Sequence, residues 1–216
     1  MLRSFYKFFR NRLSKTKFYW KYRHLLQKNI WKSYKDDSYI LRRGFYSEFM
    51  KLNNLKSVFE FGCASGPNFF NLYKSNKQIY YFGYDISKKA INSINFTKKT
   101  NRIKFNYCLS LEYINSFLKH NKLDKFDLAI FDRVLYMLTE KQIIKILDKY
   151  STFFDYVIID DFHSELPKWD DEKYIYYKNN IKIFKNNGFK IMDLKDSQHL
   201  SSNNKIFEKI LIFKSD

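Results

Sequence analysis

Residues 57–68, S-V-F-E-F-G-C-A-S-G-P-N, constrain the fold of this chain more than any other stretch. The first five are apolar in the main, with β-branched and aromatic side chains, which is typical of a buried strand. Two glycines, Gly62 and Gly66, then enclose three small residues, and Pro67 suits the first position of a helix. A strand, a small-residue loop and a helix in this order predict an α/β sheet that holds a nucleotide-like ligand at the loop.

The loop does not fit a dinucleotide fingerprint. That pattern needs glycine at its first, third and sixth positions, and counting from Gly62 the last two are Ala64 and Pro67. Pro67 also lacks the backbone N–H that a pyrophosphate would need at the helix start. Glu60, near the strand end, would repel a pyrophosphate and attract a cation. We therefore expect a positively charged ligand.

The segment E-F-G-C-A-S-G resembles the first motif of class I S-adenosylmethionine-dependent methyltransferases, usually an acid followed by G-x-G-x-G. S-adenosylmethionine carries an ammonium and a sulfonium group, in agreement with an acid here. Ala64 replaces the middle glycine and still allows close approach if its φ is negative. The resemblance covers roughly residues 40–216. It implies that the cofactor contacts Glu60, Gly62, Cys63, Ala64, Ser65, Gly66 and Asn68.

A second acid, Asp85, ends the predicted strand 79–85, about 20 residues after the loop. An acid at this place hydrogen-bonds ribose hydroxyls in nucleotide-binding α/β folds, although it could also simply initiate a helix. The resemblance implies that Asp85 binds the ribose of the cofactor and that Ile86 packs on the adenine. Ser87 is a candidate N-cap for the helix that follows.

Two further strand ends complete the predicted cofactor site. After the third strand the resembling family often has an acid near the adenine amine, and this chain has Leu109 or Ser110 there. At the end of the fourth strand, the resemblance implies that Asp132 and Arg133 lie near the methionine part of the cofactor. The Asn/Asp-Pro-Pro-Tyr signature of enzymes that methylate exocyclic amines of bases is absent from the sequence, which argues against a DNA adenine methyltransferase.

Asp161 and His163 follow the fifth predicted strand, at the edge of the sheet where open α/β folds bind ligands. Either could act as a general base on a substrate hydroxyl, since proton removal must accompany methyl transfer to oxygen. They could also ligate a divalent metal, or belong to a solvated loop with a capping Asp. We predict a general base here and no metal site.

The remaining chain alternates strands and helices. We predict further strands at 102–107, 126–132, 155–160, 189–193 and 205–213, and further helices at 111–120, 141–150 and 174–186. Strands separated by helices imply a parallel sheet, whereas the polar loop between the last two strands suggests an antiparallel pair. The sequence therefore predicts a Rossmann-like, seven-stranded, mostly parallel sheet with helices on both faces and an antiparallel last strand.

The N-terminal part of the chain is strongly basic. Residues 1–35 hold 11 Lys or Arg and no acid, within a chain of net charge +18. We predict a helical extension at 1–50 and a methyltransferase domain at 51–216. Residues 1–35 could form a lid over the cofactor pocket, lie on an anionic membrane surface, or contact nucleic acid.

Composition narrows the functional classes. The longest uninterrupted apolar run is five residues, 134–138, far below the roughly 20 of a membrane span. Two cysteines, Cys63 and Cys108, do not suggest a disulfide framework, so we expect a cytoplasmic protein. The predicted activity is O-methylation of a small molecule, sugar or lipid precursor. An RNA methyltransferase and a non-catalytic binding module of the same fold are the alternatives.

Overall fold

The computed structural model describes residues 19–21, 40–98, 100–170, 175–196 and 208–215. Residues 19–21 are helical. The later helices are α1 (Ile40–Leu52), α2 (Pro67–Ser75), α3 (Lys88–Asn92), α4 (Leu111–Asn121), α5 (Glu140–Tyr150) and α6 (Asn180–Lys185). The strands are β1 (Ser57–Phe61), β2 (Tyr80–Tyr84), β3 (Ile103–Asn106), β4 (Phe126–Asp132), β5 (Phe154–Phe162), β6 (Lys168–Asp170), β7 (Ile175–Tyr177), β8 (Phe189–Asp196) and β9 (Glu208–Ser215). Two short 3₁₀ turns lie at Leu135–Met137 and Ser151–Phe153.

Seven strands form one sheet in the order β3-β2-β1-β4-β5-β9-β8. The strands β1 to β5 pair in parallel, whereas β9 runs antiparallel to both β5 and β8. This confirms the predicted mostly parallel sheet with an antiparallel last strand. The order reverses between β2 and β4, on either side of β1, so the loop after β1 opens at a topological switch point, where α/β sheets bind ligands.

One predicted helix was partly wrong. The segment 174–186 was expected to be helical throughout, but β7 pairs antiparallel with β6 in a separate two-stranded sheet, and α6 begins only at Asn180. The β-branched and aromatic residues of β7 favour a strand. Asn179 then accepts a hydrogen bond from the backbone N–H of Lys182 and caps α6.

The sheet is covered on both faces, which explains why its central strands are continuous apolar runs. One core lies under α4, α5 and α6, and its strand residues include Phe59, Phe82 and Phe131. The second core lies under α1 and α2 and includes Val58 and Tyr81. No helix among the described residues is long and apolar enough to cross a membrane.

Helix α1 is part of the second core. Tyr46 is 0% exposed and Met50 is also buried, and both pack with α2 and the sheet. The boundary predicted between residues 50 and 51 falls inside this helix. Most of the predicted extension, 1–18 and 22–39, lies outside the described residues, so its roles as lid, membrane contact or nucleic-acid contact stay predictions.

Two glycines give a matched test of this packing. A Cβ on Gly83 in β2 would lie 2.8 Å from Cε1 of Tyr81 and 2.9 Å from Sγ of Cys63, whereas a Cβ on Gly44 in α1 would meet no described atom within 4 Å. Gly83→Ala should therefore lower the free energy of unfolding by about 1–3 kcal/mol through overpacking. Gly44→Ala should raise it by about 0.5–1 kcal/mol, because glycine is a poor helix former. Urea denaturation measures both, and equal effects of the two changes would contradict this packing.

Candidate active site

The loop after β1 requires a left-handed backbone. Gly62 and Gly66 have φ values of 81° and 78°, a region that glycine enters without steric penalty. The backbone N–H groups of Gly62 and Cys63 both donate to the carbonyl of Tyr84, at 2.7 and 2.9 Å. A Cβ on Gly62 would lie 2.8 Å from Cγ2 of Val134. Glycine at this position thus lets the loop fold tightly between the ends of β2 and β4.

Ala64 differs from the expectation of a negative φ. Its φ is 48°, and the left-handed region costs a non-glycine residue roughly 1–2 kcal/mol. Its backbone N–H donates to Oδ2 of Asp85 at 3.0 Å. This charge-assisted hydrogen bond helps to hold the alanine in the conformation that a glycine would adopt freely.

Asp85 joins the glycine loop to α3. Besides Ala64 N–H, its carboxylate accepts the backbone N–H of Ser87 at 2.7 Å through Oδ1. The Ser87 hydroxyl in turn caps α3 by accepting from Ala90 N–H at 3.2 Å, which confirms the predicted N-cap. Burial raises the pKa of Asp85 to about 6, against the two hydrogen bonds that stabilise the carboxylate. The adjacent Ile86 is half-buried.

Leu109 and Ser110 lie in the connection between β3 and α4. Leu109 is half-buried and packs against the core under α4. The Ser110 hydroxyl accepts the backbone N–H of Tyr113 at 3.2 Å and caps α4. Both residues therefore have structural contacts of their own, and their predicted contacts with adenine stay predictions.

A buried cluster connects β1 to β4. The side-chain amide of Asn68, near the start of α2, donates to Oε1 of Glu60 at 2.9 Å and to Oδ2 of Asp132 at 2.8 Å. The hydroxyl of Tyr81 donates a hydrogen bond to the other oxygen of Glu60. Burial, with the nearby negative charge of Asp132, raises the pKa of Glu60 to about 7, although the bonds from Tyr81 and Asn68 oppose the shift. Two carboxylates and one amide thus form a single unit at the switch point.

Asp160 extends this acidic edge to β5. It pairs in register with Asp132, is 0% exposed, and accepts a hydrogen bond from the hydroxyl of Tyr46 at 3.4 Å. Nε of Arg133 lies 3.8 Å from Oδ1 of Asp160, and the Arg133 guanidinium stacks over the Phe162 ring at 4.8 Å. The sequence did not identify Asp160, Tyr46 or Tyr81 as site residues. A signal was available for Asp160, since it ends the predicted strand 155–160 as Asp132 ends the predicted strand 126–132.

Asp161 points to the opposite face of β5, and its carboxylate is hydrogen-bonded to three backbone N–H groups. Its carboxylate accepts the N–H groups of Leu135 at 2.7 Å, Tyr136 at 3.3 Å and Phe162 at 2.7 Å. Burial raises its pKa, against the positive charge of Lys178. This carboxylate therefore organises the 3₁₀ turn after β4.

His163, two residues further on, is 8% exposed. Its Nδ1 is buried and has no hydrogen-bond partner among the described residues. Burial lowers the pKa of the imidazole, with a smaller effect in the same direction from Lys209 and an opposing one from Glu165. A lowered pKa keeps the ring neutral near pH 7, the form that accepts a proton.

Aromatic rings connect the N-terminal segment to this side of the sheet. The ring of Tyr136 lies edge-on to Trp20, with centroids 6.2 Å apart, and edge-on to Phe162 at 5.4 Å. Trp20 belongs to the basic segment 1–35. This contact places Trp20 near the carboxyl ends of β4 and β5, and the role of the segment as a lid stays a prediction.

Comparisons with known proteins agree with this arrangement. The profile of a family described as "Methyltransferase domain" matches residues 52–212. No curated protein sequence matches the chain.

Several solved structures share the fold. The plantazolicin methyltransferase BpumL, in complex with SAH, has a TM-score of 0.60 at 13% identity, over 100% of both chains. The methyltransferase domain of bacterial CtHen1-C has a TM-score of 0.61 at 16% identity, over 81% of this chain and 96% of that one. The magnesium protoporphyrin IX methyltransferase of Synechocystis, with bound SAM, has a TM-score of 0.59 at 16% identity, over 83% and 80%.

The raised pKa of Glu60 predicts a pH dependence of stability. The folded, ligand-free protein holds an extra proton between the ordinary pKa of 4.5 and the value of about 7. The stability linked to this proton is fully present below the lower value and is lost as pH rises through the higher one. The Glu60 contribution to the loss is on the order of 3 kcal/mol, and Glu60→Gln should remove it. Urea denaturation at pH 5 and pH 8 measures the difference.

Glu48→Gln on the exposed side of α1 is the control. It should leave the pH dependence as in the wild type. A Glu60→Gln variant with the full wild-type pH dependence would show that Glu60 does not titrate in this range.

Proposed function

Because this chain belongs to the class I S-adenosylmethionine-dependent methyltransferases, we propose that it transfers the methyl group of that cofactor to an oxygen of a small molecule, sugar or lipid precursor. The observation that supports this most directly is the carboxylate pair Glu60 and Asp132, joined by Asn68 beside the left-handed glycine loop. A negatively charged pair at this edge suits the ammonium and sulfonium groups of the cofactor.

The residues of the loop fit the cofactor in two respects. Gly62 and Gly66 present backbone without side chains, so that a ligand can approach closely. Oδ1 of Asn68 is buried without a hydrogen-bond partner among the described residues, and an ammonium N–H would satisfy it. We propose that Cys63, Ala64 and Ser65 contact the cofactor through their backbone.

The nucleoside would lie towards β2 and β3. Each carboxylate oxygen of Asp85 accepts one backbone N–H and retains a lone pair for a ribose hydroxyl. Ile86 offers an apolar surface for the adenine. Leu109 and Ser110 would border the same ring, since the Ser110 hydroxyl can donate a hydrogen bond while its oxygen caps α4.

The acceptor would lie at the ends of β4 and β5. When bound, the cofactor supplies an electrophilic methyl group for in-line attack by the acceptor oxygen. The protein orients the two reactants and excludes water, which is where most of the acceleration arises in such a reaction. Asp132 and Arg133 would lie between the cofactor and the acceptor, and Tyr136 and Phe162, whose rings contact each other, would offer aromatic surface to the acceptor.

We assign the general base to His163 in preference to Asp161. The carboxylate of Asp161 already accepts three backbone N–H groups, and protonation would weaken all of them. The imidazole of His163 has a lowered pKa, and its Nδ1 has no hydrogen-bond partner among the described residues. It can take the proton of an acceptor hydroxyl as the new bond to the methyl group forms.

Asp85 provides the test of cofactor binding. The wild type should bind S-adenosylhomocysteine and not NAD in isothermal titration calorimetry. Asp85→Asn should weaken that binding by about 1.5–3 kcal/mol, because a charge-assisted acceptor is lost and an amide faces two backbone donors. Asp124→Asn at an exposed position is the matched control and should bind as the wild type does. Binding of NAD alone would refute the cofactor assignment.

His163 provides the test of the base. With tritiated S-adenosylmethionine and cell extract as the source of acceptor, His163→Asn should transfer label at least about 100-fold more slowly than the wild type. Its affinity for S-adenosylhomocysteine should not change. His120→Asn, on the exposed side of α4, is the control. Full activity of His163→Asn would exclude the base role.

The same assay distinguishes the alternative functions. Label that survives nuclease treatment and extracts with small molecules or lipids supports the proposed acceptor class. Label lost on ribonuclease treatment would identify an RNA methyltransferase. Cofactor binding without any labelled product would favour a non-catalytic binding module.

A further inference from the structure

Lys178 is a buried cation that the reaction described above does not use. It follows β7 directly and is 1% exposed. Its backbone forms a parallel bridge with His163, and its carbonyl accepts the N–H of Ser164 at 2.9 Å. Lys178 therefore connects β7 to the chain that leaves β5, next to the proposed base.

The ammonium of Lys178 is directed at the turn after β4. Nζ donates to the carbonyl of Leu135 at 2.7 Å and to the carbonyl of Tyr176 at 2.9 Å, and it lies 4.7 Å from the centre of the Tyr176 ring. Burial lowers the pKa of Lys178 to about 8, whereas the negative charges of Asp161 and Glu140 oppose this shift. The side chain therefore keeps its charge at neutral pH.

Asp161 binds the same turn through backbone N–H groups, whereas Lys178 binds it through a backbone carbonyl. The carboxylate accepts the N–H groups of Leu135 and Tyr136, while the Lys178 ammonium binds the Leu135 carbonyl. An anion thus satisfies the donors of the turn and a cation satisfies an acceptor. Each charge also compensates the other in a buried setting, where an isolated charge would be costly.

The turn carries Tyr136, whose ring lies between Trp20 and Phe162. The turn begins directly after Asp132 and Arg133. On the opposite face of the sheet, Asp132 accepts a hydrogen bond from Asn68 and Arg133 lies beside Asp160. The position of the turn therefore determines where an aromatic side chain of the acceptor side lies relative to the cofactor side.

We propose that Lys178 is a positioning residue for methyl transfer. Together with Asp161 it clamps the turn 134–138 and fixes Tyr136 between Trp20 and Phe162, at the place where the acceptor binds. The location of the acceptor rests on the proposed function, whereas the clamp is a property of the fold. Lys178 touches neither reacting atom and acts through Tyr136.

The experiment compares three variants of the full chain. Lys178→Met keeps the length of the side chain but cannot donate a hydrogen bond. Lys178→Gln is uncharged and can still donate an N–H to a carbonyl. Lys182→Met, at an exposed position of α6, removes a neighbouring charge that has no part in the clamp. Hydrogen exchange of the Leu135 and Tyr136 amides is measured without any ligand. Binding of S-adenosylhomocysteine and label transfer from tritiated S-adenosylmethionine to cell extract are measured in parallel.

Lys178→Met should exchange the two amides at least about 10-fold faster, because the turn opens locally more often. Its label transfer should fall at least about 10-fold while its affinity for S-adenosylhomocysteine stays within about 2-fold of the wild type. Lys178→Gln should recover part of both losses, and Lys182→Met should show neither. If Lys178→Met does not fold, the same measurements on Lys178→Gln decide, with intermediate losses expected.

Two results would overturn the proposal. One is unchanged exchange of the Leu135 and Tyr136 amides in the Lys178 variants, which would remove the clamp. The other is a parallel loss of cofactor binding and label transfer, which would mean that Lys178 only supports the fold. Failure of the wild type to bind S-adenosylhomocysteine would instead refute the proposed function. The exchange measurement, made without ligand, would still test whether Lys178 holds the turn.

Discussion

The hydrogen bonds from the Asn68 amide to Glu60 and Asp132 hold together the edge of the sheet on which the site depends. They join the ends of β1 and β4 to the start of α2, and so they fix the mouth of the glycine loop. The carboxylates of the buried Glu60 and the half-buried Asp132 repel each other. The amide, the Tyr81 hydroxyl and the raised pKa of Glu60 reduce that repulsion in the absence of ligand. A cationic ligand would do so more completely.

Alternation along β5 directs the side chains of Asp160 and Asp161 to opposite faces of the sheet. Asp160 faces α1, where it contacts Tyr46 and Arg133. Asp161 faces the other core, where it organises the turn that carries Tyr136. Because successive side chains of a strand point to opposite faces, the two adjacent acids make their contacts on different faces of the sheet. A shift of β5 by one residue would exchange the two roles and disrupt both.

The fold itself says little about the acceptor. Methyltransferases of different systems, at 13–16% identity, share the sheet with this chain. A parallel sheet with a switch point supports the cofactor in the same way whatever the acceptor is. The proposed acceptor position lies elsewhere, beside the turn after β4, where Tyr136 contacts Trp20 and Phe162. Under that proposal, specificity for the acceptor would depend on this turn and its aromatic neighbours.

The sequence by itself determined the local units: the buried strand β1, the glycine loop, the start of α2 at Pro67 and the cap of α3 at Ser87. Their signals lie within a few residues, in apolar periodicity, small side chains and capping hydroxyls. Only the tertiary structure decided the left-handed φ of Ala64, the pairing with β6 of a strand (β7) inside the predicted helix 174–186, and the contact of Asp160 with Tyr46. It also brought Lys178 to the Leu135 carbonyl. These features depend on groups far apart in the chain, whose contacts arise from strand order and register, and no local pattern encodes that geometry.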